Sequence, residues 1–415
     1  MGWLCAISPC LLCVLGDYVG LSAIMPVLPF HCRDKGWDVN AWAGSISSAQ
    51  FGAVMIACII MGRVADRLGA KRAVQLAMAG NVVTFLLSAW APSPGVLLAV
   101  RFGAGLCSPL VPALAYIFET VPLERVVHGT SAYMLAVVVG MQCGAGVVGL
   151  YDRIGWLGIA LLSSGISLLG LVSTLPMLSA RRGPDRPRPL HVRRALRSRH
   201  FVTHASVAFS IGFSFTTCFA LLPVVLMEQE WAASRVSLVA FALALPTGAA
   251  ALLSPALTRR CGVQGVITGG LLVQVVCLLA LCAPSCARNP AALITLCVVV
   301  QFAVFSEQPP NNSRAKTIGQ HLTSGGTGTV TGWSRFVFSA GLAAGPVASL
   351  ALHGLAVWAP WAAAAAVQVA ALAAHPLCGV SLTSDHVWTT GVVSARTAGP
   401  VKVGVVAVEP GEESC

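Results

Sequence analysis

Four ionisable side chains stand inside otherwise apolar stretches: Asp17, Arg101, Glu307 and Arg335. A charge in an apolar helix is costly, so such residues face a partner or a cavity and mark a route for protons, ions or a polar solute. Asp17 can exchange a proton or meet a cationic solute, and Arg101 can tune it. Asp17 lies nine residues in from Pro26 and Arg101 six in from Gly95, about 14 and 9 Å at the helical rise, so a direct Asp17–Arg101 pair is expected. Glu307 and Arg335, about four and seven residues from the ends of neighbouring segments, are expected to pair near an inner gate. Gln50, Gln142 and Gln301 are lesser cavity candidates, each also suited to a helix–helix hydrogen bond.

The elements that hold these residues follow from composition. Of 415 residues, 56% are hydrophobic and 10% charged, with a mean hydropathy of +0.80. Soluble chains average about 25% charged residues, so a polar coat for a soluble enzyme of this size is excluded. A bilayer core takes about 20 apolar residues per helix. Twelve such segments occur, at about 4–29, 41–62, 73–91, 95–118, 129–150, 154–178, 201–226, 235–257, 263–284, 291–310, 328–352 and 357–378. Continuous apolarity without alternation speaks against a membrane barrel. Most of the fifteen cysteines lie within these runs and act as small hydrophobes, and no Cys/His spacing fits a metal.

The net charge of +11 reads as topology rather than nucleic-acid binding. With the N-terminus in the cytosol, seventeen Lys and Arg fall in cytosolic loops and five in the opposite ones, so both termini are expected in the cytosol. Residues 1–178 and 201–378 form two six-helix bundles, 179–200 an Arg-rich cytosolic linker and 379–415 a flexible cytosolic tail. The halves look like copies: PVLPF at 26–30 is echoed by PVVLM at 223–227, VRF at 100–102 by VQF at 300–302, and GTSAYMLAVVVGMQCGAG from 129 by GTVTGWSRFVFSAGLAAG from 328. The offsets, 197, 200 and 199 residues, nearly coincide. A parallel repeat of this kind suits two halves that rock about a central site.

Residues 62–72 read GRVADRLGAKR. This stretch resembles the cytosolic signature loop of the major facilitator superfamily, with Gly62, Asp66, Arg67, Gly69 and Arg72 in place and Lys71 as the basic variant. It also follows the second segment on the basic side, as in that family. The resemblance implies that Asp66 and Arg67 latch the two halves in the outward-facing state. RFGAGLCSP from Arg101 is similar to the family's R-x-x-x-G pattern through Arg101 and Gly105. VVVGMQCGAGVVGLYDRIGW from 137 resembles the fifth-helix signature of its antiporter branches through Gly140 and Gly144, with Ala145 in place of the usual Pro. AAGPVA at 343–348 keeps Gly345 and Pro346. Small residues at these spacings let helices approach and rock. GDYVGLSAIMPVLPF from Gly16 is similar to the first helix of drug:proton antiporters and vesicular amine transporters.

The sequence thus implies an all-α membrane protein, twelve transmembrane helices in two pseudo-symmetric six-helix bundles. It is expected to act as a monomer without cofactor, coupling protons to antiport of a small-molecule substrate across the lipid bilayer. A uniporter or symporter of a neutral or anionic metabolite is the alternative, and a non-transporting sensor on the same scaffold a third reading. No nucleotide-hydrolysis motif or catalytic cluster is present, so an enzyme or ATP-driven pump is not expected.

Overall fold

Backbone amides in a lipid interior find no water, so an apolar chain of this kind is driven to helix, and its breaks fall at proline and glycine. The computed structural model describes residues 2–24, 27–147, 150–177, 198–231, 239, 243–322 and 327–375. Among them the long elements are helices, in the order α1 (Gly2–Ile24), α2 (Leu28–Asp34), α3 (Val39–Leu68), α4 (Ala70–Ala89), α5 (Pro94–Leu106), α6 (Leu110–Thr120), α7 (Val126–Val147), α8 (Tyr151–Ser173), α9 (Arg199–Glu228), α10 (Ala244–Leu281), α11 (Pro284–Arg288), α12 (Pro290–Leu322), α13 (Thr327–His353) and α14 (Ala359–Ala374).

Several boundaries have a local cause. Ser93 caps α5, its hydroxyl accepting from the Val96 amide at 3.4 Å, and Pro94 opens the first turn. Pro109 is the N-cap of α6. The segment expected as one helix over 95–118 is therefore two pieces, broken at residues 107–109. Likewise the first segment, expected over 4–29, ends at Ile24, and a separate short helix opens with Pro29 in its first turn. Gly69 separates α3 from α4 at φ 90°, ψ 147°. Gly262 repeats that turn at φ 72°, ψ 164° and divides α10 into two crossings. Only glycine enters this region without strain.

Among the described residues nine helices are long and apolar enough to cross a membrane. Adding α3 and α14 and dividing α10 at Gly262, the described residues make twelve crossings. The molecule is apolar outside as well as inside: Leu169, Leu245 and Val347 are 70%, 72% and 72% exposed, the surface a helix presents to lipid rather than water. Within the bundle α1 packs on α7 and α8, α9 on α13, and α10 on α12. Helices of the two sequence halves meet where α3 packs on α13 and α7 on α10. The linker at 179–200 lies outside the described residues except for its last three, as do the tail at 379–415 and the start of the segment expected over 235–257.

Candidate functional site

Asp17 and Arg101 are 8% and 1% exposed, both deep within spans. They do not pair directly as expected. Asn81 of α4 donates its amide to Asp17 Oδ1 at 2.6 Å, and Arg101 donates Nη2 to Gln50 Oε1 of α3 at 2.5 Å. The Arg101 guanidinium also lies 5.2 Å from the Phe85 ring centroid, and its Nη1 has no hydrogen-bond partner. Acid and base still act on each other electrostatically. Depth along the helices matched them correctly, but the helix faces direct each to a neutral amide.

Glu307 and Arg335 depart from expectation in the same way. Glu307 is fully buried, and its Oε1 accepts from Gln274 Nε2 of α10 at 2.7 Å. The carboxyl occupies the space that a side chain at Gly270 would fill, so it faces α10 rather than α13. Arg335 instead lies over two rings, with Cζ 5.1 Å from the Phe338 centroid and 6.0 Å from that of Tyr133 on α7. Nearby, His204 of α9 is fully buried between Asn311 Oδ1 at 2.9 Å and Ser334 Oγ at 2.5 Å. Gln301 donates to the Phe215 carbonyl at 3.1 Å, and Gln142 is half-buried with Oε1 unpartnered.

The end of the bundle carrying residues 62–72 is closed by contacts between the sequence halves. Asp66 accepts from the Gly328 amide at 2.8 Å, from the Thr329 amide at 2.7 Å and from the Thr329 hydroxyl. It thus caps the first turn of α13, where unpaired amides and the helix dipole favour an anion. Approach is close because Gly62, Gly328 and Gly332 put bare backbone against backbone. Lys71 donates to the carbonyls of Leu175 and Met177 at 3.0 and 2.7 Å, behind α8, while Arg67 and Arg72 are exposed. Lys316 is buried and donates to the Val121 carbonyl just after α6 at 2.8 Å. Thr130 Oγ1 reaches the Pro309 carbonyl at 3.2 Å.

Asn81, Gln274, Tyr133 and the buried Lys316 stand at the site without being expected there from sequence. Asn81 and Gln274 are legible as single polar residues in apolar runs, whereas Lys316 reads in sequence as one of the seventeen basic residues that set topology. The glycines singled out for packing sit at close approaches. A Cβ at Gly140 or Gly144 would stand 2.7 Å from the Leu15 carbonyl oxygen or 2.5 Å from that of Val19, and one at Gly345 2.8 Å from that of Phe213. A Cβ at Gly105 would press into the Gln50 carbonyl. Gly144→Val is accordingly expected to cost about 1–3 kcal/mol through overpacking. Detergent-solubilised protein should melt lower, while Gly269→Ala, at a helical glycine with open space around it, should melt no lower than the parent.

Comparison with known proteins places this architecture. The family profile described as Major Facilitator Superfamily matches residues 10–346. The gentisate transporter of Corynebacterium glutamicum is 33% identical over 150 residues, 34% of this chain and 33% of that protein. The multidrug resistance protein MdtG of Citrobacter koseri is 27% identical over 280 residues, 62% of this chain and 67% of that one. The chain thus spans only a third of the gentisate transporter's length. Among solved structures, the human organic anion transporter MFSD10 superposes with a TM-score of 0.72 at 17% identity, covering 89% of this chain and 98% of that one. A bacterial homologue of the iron transporter ferroportin, in an outward-facing state, gives 0.71 at 15% identity over 90% and 99%. With twelve crossings, a match across most of the length and the signature loop closing one end of the bundle, the chain belongs to the major facilitator superfamily.

Proposed function

We propose that the protein is a monomeric secondary active transporter that exchanges protons for a small organic solute by alternating access. Residues 1–178 and 201–378 act as the two rocking bundles, 179–200 as the linker and 379–415 as a tail. The basic end, with both termini, faces the cytosol by the positive-inside rule. The conformation, with that end sealed by Asp66 on α13, then corresponds to outward opening, Asp66 and Arg67 serving as latch and the 62–72 loop as gate. MdtG's name as a multidrug resistance protein accords with export of an organic solute, and the first helix carries the resemblance to drug:proton antiporters.

The observation that carries this reading is the geometry of Asp17 and Arg101. Each is buried on a neutral amide rather than locked in an ion pair. A carboxyl so held can give up or take a proton without breaking a salt bridge, and such groups are retained in spans for use. The test is uptake into proteoliposomes under an imposed pH gradient. Wild-type uptake should follow the gradient, and Asp17→Asn should lose that dependence while still folding. Uptake that ignores the gradient in both proteins would overturn the coupling.

A second reading, carriage of an anionic metabolite by uniport or symport, is favoured by Arg335, a buried cation with no acid beside it among the described residues. The gentisate transporter and MFSD10 are both named for acids or anions.

A further inference from the structure

Of the buried cations in the bundle, three are bound in different ways. Arg101 has Gln50, and Asp17 acts on it electrostatically. Lys316 has the Val121 carbonyl. Arg335 has neither acid nor amide among the described residues. It is 2% exposed, and among the described residues it forms no ion pair and its Nη2 has no hydrogen-bond partner. A guanidinium keeps its charge in proteins, and a buried unpaired charge is expensive. The two rings over it, Phe338 and Tyr133, offset part of that cost without using its N–H groups.

A second unpartnered group lies beside it. The Tyr133 hydroxyl is fully buried and makes no hydrogen bond of good geometry, with Tyr18 of α1 facing it. Cys58 of α3 also lies within electrostatic reach of Arg335. Helices α1, α3, α7 and α13, drawn from both sequence halves, therefore converge on the unpartnered Arg335 Nη2 and on a Tyr133 hydroxyl that has only Tyr18 facing it. The surroundings offer two or more donors and aromatic walls, and the acid that acts on Tyr18 and Tyr133 electrostatically, Asp17, bonds Asn81 rather than Arg335.

We propose that Arg335 and Tyr133 form a carboxylate-binding site whose ligand is a small organic monocarboxylate with an apolar body. The guanidinium fork matches a carboxylate in a bidentate pair, the Tyr133 hydroxyl supplies a further donor, and Tyr18, Tyr133 and Phe338 receive the apolar body. One free cation fits one negative charge. This assignment deepens the anionic reading above and rests on it for its purpose; binding, measured without flux, tests it separately.

The experiment compares three near-isosteric probes on purified full-length protein in detergent: benzoate, neutral benzamide and cationic benzamidine. Benzoate should raise the melting temperature saturably, since a ligand of the native state stabilises by mass action, and the other two should not. Tyr133→Phe should weaken benzoate several-fold, Arg335→Lys about tenfold or more for loss of the fork, and Arg335→Gln should abolish the saturable shift. Because these variants can fail to fold, the wild type also carries the test: phenylglyoxal modification of Arg335, read by mass spectrometry, should be slowed by benzoate and not by benzamide. Stabilisation by benzamidine but not benzoate, equal protection by chloride, or no protection by benzoate, hexanoate or acetate would overturn the site. Benzoate binding without entry into vesicles would leave the site standing and overturn the carrier reading.

Discussion

Asp66→Ala is expected to shift the protein about 30-fold away from the conformation in which the 62–72 end is closed. The carboxylate receives two amides and a hydroxyl from the first turn of α13, and a partly buried charge at a helix terminus is worth up to about 2 kcal/mol. At room temperature that corresponds to roughly a 30-fold change in equilibrium. Asp66→Asn keeps one acceptor and should fall between. Cys58 reports the change: it is 1% exposed, its carbonyl lies against Gly332, and its thiol lies 3.8 Å from Ser339 Oγ on α13. In a variant whose other cysteines are replaced by Ser or Ala, maleimide should label Cys58 faster once Asp66 is lost. Unchanged labelling together with unchanged transport would remove the latch from the account.

At the other end, acid should weaken the protein through His31. The ring is 4% exposed, stacked on Trp156 at 4.1 Å between centroids and edge-on to Trp37 at 5.3 Å. Its Nε2 has no hydrogen-bond partner. Burial first, and the Lys35 charge second, hold its pKa down at about 4, with Asp34 opposing. An unfolded histidine titrates near 6.5, so between those pH values only the unfolded chain takes up the proton. Stability is therefore full above about pH 6.5, falls as pH drops towards 4, and loses at most about 3 kcal/mol to this group. His31→Phe keeps the stacking and removes the titration. Across that window the wild type should lose roughly 5 °C more in melting temperature than the variant. Parallel curves would show the ring to be solvated.

The crossings were legible in sequence because lipid demands runs of fixed length, and the 62–72 motif because its glycines and acid fall in one short loop. Partners were not. Counting residues from a segment's end gives height in the membrane, and Asp17 and Arg101 do stand within electrostatic reach of each other. It does not give the direction in which a side chain leaves its helix. Asp17 therefore met Asn81, and Glu307 turned towards the bare backbone of Gly270 and Gln274 instead of Arg335. The break at residues 107–109 was equally hidden from hydropathy, since a proline within an apolar run leaves its mean unchanged.

The paired turns at Gly69 and Gly262 have the same shape but carry opposite charge. Three residues before the first stands Asp66, bonded to the start of α13; three before the second stands Arg259, which acts electrostatically on His128 in the first turn of α7. An anion at one helix start attracts, whereas a cation at the other repels the same dipole. The two seams of the closed end are therefore of unequal strength. The α7–α10 seam is expected to be the compliant edge and the α3–α13 seam the stiff one, so that an opening of this end would proceed as a wedge with its apex at Asp66.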